Sequence, residues 1–109
     1  MDMKELLGFI NEEKIKLDEK VDISEKEKIL TQVAKISEEL GEFINEILLN
    51  LSLARDEKLQ ELDKKNINNE FADVIISSMI VAKLLNIDIE SALENRIKIL
   101  KERGNRWYQ

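Results

Sequence analysis

Apolar residues recur along this chain at helical intervals. From Asp2 to about Leu17, Leu6, Phe9, Ile10 and Leu17 line up as the apolar side of an amphipathic helix. Asp18 to Ser24 is polar and reads as a turn. Ser24, with Glu27 three residues later, fits a capping box, in which each side chain bonds the other's backbone N–H. A long helix is therefore expected from Ser24 to about Leu53. At about 100° per residue, Val33, Ile36, Leu40, Ile44, Ile47 and Leu51 form one stripe on it. Gln32, Lys35, Glu39, Glu42 and Glu46 gather on another face, and Phe43, on the flank of the stripe, is assigned to the core.

Arg55 to Asn69 is polar apart from Leu59, Leu62 and Ile67, and suggests an exposed helix followed by a loop. Asn66, Asn68 and Asn69 are turn and cap formers that announce a helix from about Asn69 to Leu85. That helix carries apolar residues all round, from Phe71 and Val74 to Leu84 and Leu85, and such a helix is normally buried. A 109-residue chain could hardly cover it alone, so packing against another subunit is expected. Asn86 suits a C-terminal cap. Asp88 can cap a last helix, about Ile89 to Arg103, which Gly104 ends. No repeat or linker divides the chain, which reads as one domain, 1–109.

Composition supports the helical reading and narrows the chemistry. The absence of proline and the presence of only 3 glycines disfavour a turn-rich sandwich or barrel, so the fold class expected is all-α. Neither cysteine nor histidine is present. Thiolate nucleophiles, Ser-His-Asp triads and imidazole-bound zinc are thereby excluded, and any metal must be held by oxygen. The net charge of -6, from 17 basic and 23 acidic residues, argues against a nucleic acid polymer as partner. The longest uncharged apolar run, Val74 to Ala82, is too short to span a membrane. From Lys4 onward the N-terminal stretch alternates charged and apolar residues, unlike a signal peptide, and a cytoplasmic location is expected.

Two acidic pairs stand apart from the surface acids. Glu39 and Glu42 lie mid-helix, and Glu70 and Asp73 lie where the apolar helix is expected to begin. Spacing of three residues sets each pair on one helix face. Asp73 is the only charge between Phe71 and Ala82, and an ionised carboxylate in apolar surroundings is costly unless paired or metal-bound. At ~5 Å two like charges repel by about 3 kcal/mol at an effective dielectric near 20, so four carboxylates together call for cations. The plainer explanation is that Glu70 and Asp73 complement the positive end of a helix, and that Glu39 and Glu42 pair with Lys35 and other bases. Gly41 sits awkwardly with it, because mid-helix glycine costs about 1 kcal/mol relative to alanine; close approach of a facing helix would account for it.

Glu39-Leu40-Gly41-Glu42, 27 intervening residues, then Glu70-Phe71-Ala72-Asp73 resembles the MazG-like nucleoside triphosphate pyrophosphohydrolase superfamily. The wider stretch Lys35 to Phe43 is similar to its first motif, and Asn86 to Leu93 to the segment following its second. The resemblance covers about Lys28 to Arg103 and implies an all-α bundle completed by oligomerisation, as a homodimer or homotetramer. It implies Mg2+, with Mn2+ an alternative, held by Glu39, Glu42, Glu70 and Asp73. The implied reaction cleaves a nucleoside triphosphate between its α and β phosphates, in nucleotide-pool house-cleaning. Glu38 or Glu39 would accept the proton of the attacking water. Lys35, Asn95, Lys98 and Arg103 would contact phosphates, although an ordinary helix end also favours Lys and Arg. Phosphoribosyl-ATP is a further substrate in the superfamily. Arg55 to Lys65 is a candidate for shaping a base pocket. Trp107 suits either base stacking or, more simply, packing. The competing reading is a non-catalytic helical interaction module with the acids on a solvated face.

Overall fold

The computed structural model describes residues 1–20, 22–53 and 64–104. These form α1 (Met3–Asp18), α2 (Glu25–Leu53), α3 (Lys64–Leu84) and α4 (Ile89–Arg103), with no strand among the described residues. The all-α expectation holds. Among the described residues no helix is long and apolar enough to cross a membrane.

Local chemistry sets most helix ends. Asp2 caps α1 by accepting from the Glu5 N–H at 2.8 Å, and Ser24 Oγ accepts from the Glu27 N–H at 3.2 Å to start α2. Asn86 takes the left-handed conformation at φ 58°. Its N–H reaches the Lys83 carbonyl at 3.1 Å, and that of Ile87 reaches the Ala82 carbonyl at 2.9 Å. This pair of bonds closes α3 as a Schellman turn. Asp88 then accepts from the Ser91 N–H at 3.0 Å to open α4, and Gly104, at φ 60°, ends it.

One boundary departs from expectation. α3 begins at Lys64, so Asn66, Asn68 and Asn69 lie inside it and do not form a loop and cap. Packing along α2 overrides the weak helix propensity of asparagine. The rest of the expected polar helix and loop, from Arg55 to Asp63, lies outside the described residues.

α3 is the central element: α2 runs along it, α1 packs on it, and α4 meets it chiefly beside the connecting turn. The core is small. Ile10 of α1, Met79, Ile80 and Leu84 of α3 and Ile89 of α4 are buried together, with Leu6, Leu7, Leu17, Ile29, Ile76 and Ala82 around them. The buried Lys28 ammonium lies 2.9 Å from Glu25 Oε1 and 4.0 Å from Asp18 Oδ1, joining the start of α2 to the end of α1.

α2 turns only the edge of its apolar stripe inward. Ile29, Gln32, Ile36, Glu39, Phe43, Glu46, Ile47 and Asn50 are its half-buried residues, whereas Val33, Leu40, Ile44 and Leu51 of the stripe are exposed. α3 is buried at Met79 to Val81 and Leu84, yet Phe71 and Ile75 are exposed nearer its start. The radius of gyration, 17.3 Å, exceeds the ~13 Å of a compact chain of this length.

Candidate metal centre

The packing of α2 along α3 brings the two acidic motifs together. One carboxylate oxygen from each of Glu39, Glu70 and Asp73 lies within 4.8 Å of the others. Glu39 and Glu70 are half-buried and Asp73 is exposed. Glu42, one turn on from Glu39 and exposed, sits beside the group, and its charge is among those that hold the Glu70 carboxyl up.

The early start of α3 changes the meaning of its acids. Glu70 lies six residues beyond Lys64, and the first turn of α3 holds no acidic residue. The favourable field of a helix N-terminus falls off within the first turn, so it accounts for neither Glu70 nor Asp73. Their position comes from α2, which faces them with two more carboxylates.

The electrostatics are those of crowded like charges. Glu39 is held above the ordinary glutamate range, first by loss of solvent and then by the charges of Asp73, Glu42 and Glu38, with Lys35 acting in the opposite sense. Glu70 is raised as well, by desolvation and then by Glu42, Glu39 and Asp73. The Oε2 atoms of Glu39 and Glu70 are closed to solvent and have no hydrogen-bond partner. Among the described residues no ion pair reaches Glu39, Glu70 or Asp73; the pairs seen lie within α1, within the start of α2, or between the two. Buried acceptors without donors carry a desolvation penalty, and a cation would relieve it. The donor set is all carboxylate oxygen, the chemistry preferred by a hard divalent ion. Magnesium takes ligands at about 2.0–2.1 Å, so oxygens sharing it lie up to about 4.2 Å apart, a small contraction from the observed spread. The residues fit such an ion.

A cavity of about 280 Å3 opens beside the group, lined by Lys35, Glu39, Asp73, Ile76, Ser77 and Ile80. Ser77 is buried because its hydroxyl donates to the Asp73 carbonyl at 2.7 Å, within the helix. Sequence reading passed over Ser77, Ile76 and Ile80; the signal available was their place one and two turns beyond Asp73. Lys35 lines this cavity, whereas Asn95, Lys98 and Arg103 do not: they lie exposed on α4. Glu38 is exposed outside the three-carboxylate group, and bears on it only through its charge.

A larger cavity, about 450 Å3, lies at the corner of α1 with the α3–α4 turn and includes Asn11, Lys14, Lys83 and Asp88. Two of its charged groups have local tasks: Lys14 pairs with Asp18 at 2.8 Å and Asp88 caps α4. It contains none of the motif carboxylates, so the smaller cavity is the better candidate for chemistry. The base-pocket expectation for Arg55 to Lys65 falls largely outside the described residues, as does that for Trp107. The chain matches no known family model, no curated protein and no solved structure.

Proposed function

We propose that this chain is a Mg2+-dependent nucleoside triphosphate pyrophosphohydrolase of the MazG-like kind, acting as a homodimer or homotetramer. The observation that carries the reading is the meeting of Glu39, Glu70 and Asp73 across two helices, with two of their oxygens buried and unpartnered.

Glu39, Glu42, Glu70 and Asp73 would hold the metal. When bound, it supplies positive charge to phosphate oxygens and lowers the pKa of a water. Held apart on α2 and α3, the four carboxylates define where a triphosphate can approach. The small cavity beside them suits the reacting phosphates, leaving the base to another surface. Lys35, at its edge, offers an ammonium to phosphate oxygens. Glu39, which lines the cavity, or Glu38, which lies outside the three-carboxylate group, would accept the proton of the attacking water. The water oxygen bonds to phosphorus as a phosphoanhydride P–O bond breaks, leaving a nucleoside monophosphate and pyrophosphate. Asn95, Lys98 and Arg103 are assigned to phosphate contact through the sequence resemblance. Phosphoribosyl-ATP is the alternative substrate within the same chemistry.

A second reading, a non-catalytic helical interaction module, draws on the apolar side chains exposed along α2 and α4, such as Ile44 and Leu93. Pyrophosphate release from a panel of NTPs, dNTPs and phosphoribosyl-ATP, with Mg2+ or Mn2+, separates the two. Metal-dependent release that Glu42→Ala abolishes is the result expected of the enzyme. Folded protein that releases none from any of them would transfer the weight to the module.

A further inference from the structure

α2 has two faces with different fates. One lies against α3 and carries Ile36, Glu39, Phe43 and Ile47. The other carries Leu30, Val33, Leu40, Ile44, Leu48 and Leu51, each between 42% and 56% exposed. These six fall within an arc of about 80° and extend over about 32 Å of helix. No charged residue between Leu30 and Leu51 falls in that arc. Single exposed aliphatic residues need no explanation, but a continuous uncharged stripe of this length marks an interaction surface.

Gly41 lies at the edge of this stripe and halfway along it. A Cβ added there would meet no atom within 4 Å. Alanine would therefore fit the isolated chain and favour the helix by about 1 kcal/mol. Nothing among the described residues requires the glycine, whereas close approach of a second helix would.

The stripe is also self-complementary. A twofold axis between residues 40 and 41, with a second α2 antiparallel, sets Leu40 level with Gly41 of the partner subunit. It sets Ile44 level with Ser37 of the partner subunit, and Leu30 with Leu51 of the partner subunit. Large meets small at the centre and large meets large at the ends, as in interdigitated helix packing. The chain as a whole exposes 8549 Å2, against ~6,200 Å2 for a compact monomer of this mass, as expected of a subunit that buries further surface in an assembly.

We infer that the uncharged face of α2 is the twofold interface of the oligomer, with two α2 helices crossing antiparallel at Gly41. The inference rests on the proposed self-association, and not on the hydrolysis. It leaves the carboxylates of each subunit on the flank facing α3, away from the axis.

The test is mass by light scattering, together with cross-linking in a chain that has no cysteine of its own. Wild type should run at a multiple of 12.7 kDa. Ile44→Glu, which puts a charge into the face, should run as the monomer. Oxidised Gly41→Cys should give a covalent dimer, because a disulfide needs Cα atoms within about 7 Å; Ser91→Cys on α4 should not. Should Ile44→Glu fail to fold, the cysteine pair alone decides. A monomeric wild type would overturn self-association and this face together. An oligomeric wild type in which Gly41→Cys does not cross-link would overturn the face alone. Pyrophosphate release is read separately and is untouched by either result.

Discussion

Phe43 and Phe71 meet across the α2–α3 contact with ring centroids 5.9 Å apart and planes inclined at 56°. Each ring follows a motif carboxylate by one residue: Phe43 after Glu42, Phe71 after Glu70. The tilted contact therefore sets the level at which the two acidic motifs face each other. Without an apolar contact of this kind beside them, like-charged side chains on two helices would tend to slide or splay the helices apart.

A double-mutant cycle measures that contact. Phe43→Ala and Phe71→Ala should each destabilise the fold, and their coupling in urea unfolding should be about 0.5–1.5 kcal/mol, toward the lower end because Phe71 is half exposed. Coupling near zero would mean that the rings only share a surface. Either single variant should also weaken Mg2+ binding by loosening the register of the carboxylates.

Metal binding should raise stability. At Mg2+ ten times above its Kd the gain is about 1.4 kcal/mol, on the order of 5 °C in Tm for a small domain. Asp73→Asn should remove this gain and lower pyrophosphate release by more than the ~10–100-fold that outer-shell partners of a metal cost. A thermal melt with Mg2+ and with EDTA reads the first effect. Equal Tm values in the two would remove the metal from the mechanism.

Glu70→Gln should separate folding from function with opposite signs. In EDTA it removes one of the crowded charges and should raise Tm, because Glu70 is repelled by Glu42, Glu39 and Asp73. In Mg2+ it should lose the metal-dependent gain. A variant less stable than wild type in EDTA would show that the native carboxylate makes a favourable contact there.

The pH dependence follows from the raised pKa of both Glu39 and Glu70. Between the ordinary glutamate range, near about 4.3, and their raised values, the native state holds more protons than the unfolded state. Stability of the metal-free protein should therefore fall as pH rises through that window. Mg2+ binds the deprotonated carboxylates, so its affinity should rise over the same window and offset the loss. Melts in EDTA across pH 4 to 8 should show the decline; a rise in Tm through the window would contradict it.

Asn86 offers a test of the α3–α4 turn. Its φ of 58° suits glycine and asparagine. Asn86→Ala should cost about 1 kcal/mol, while Asn86→Gly should be neutral within a few tenths. Chemical denaturation of the two variants is sufficient to compare them.

Short-range chemistry made much of this molecule legible in its sequence. The caps at Ser24 and Asp88 depend on side chains reaching backbone groups a few residues away, and that at Asn86 on a residue type that tolerates the left-handed conformation, so residue type and spacing were enough to mark them. Periodicity likewise gave the helices and singled out Glu39, Glu42, Glu70 and Asp73 as pairs on helix faces. It could not say which face of α2 would meet α3, because the apolar stripe and the half-polar flank both offer surface to bury. Packing chose the flank, which carried Glu39 inward to Glu70 and Asp73 and left Val33, Leu40 and Ile44 outside. Packing also drew the start of α3 back to Lys64, through asparagines that local propensity assigns to a turn. Residue type and spacing alone yield an all-α chain and the carboxylates available for chemistry. Which of them share one site depends on how two helices are rotated and aligned against each other, a choice made by long-range contacts.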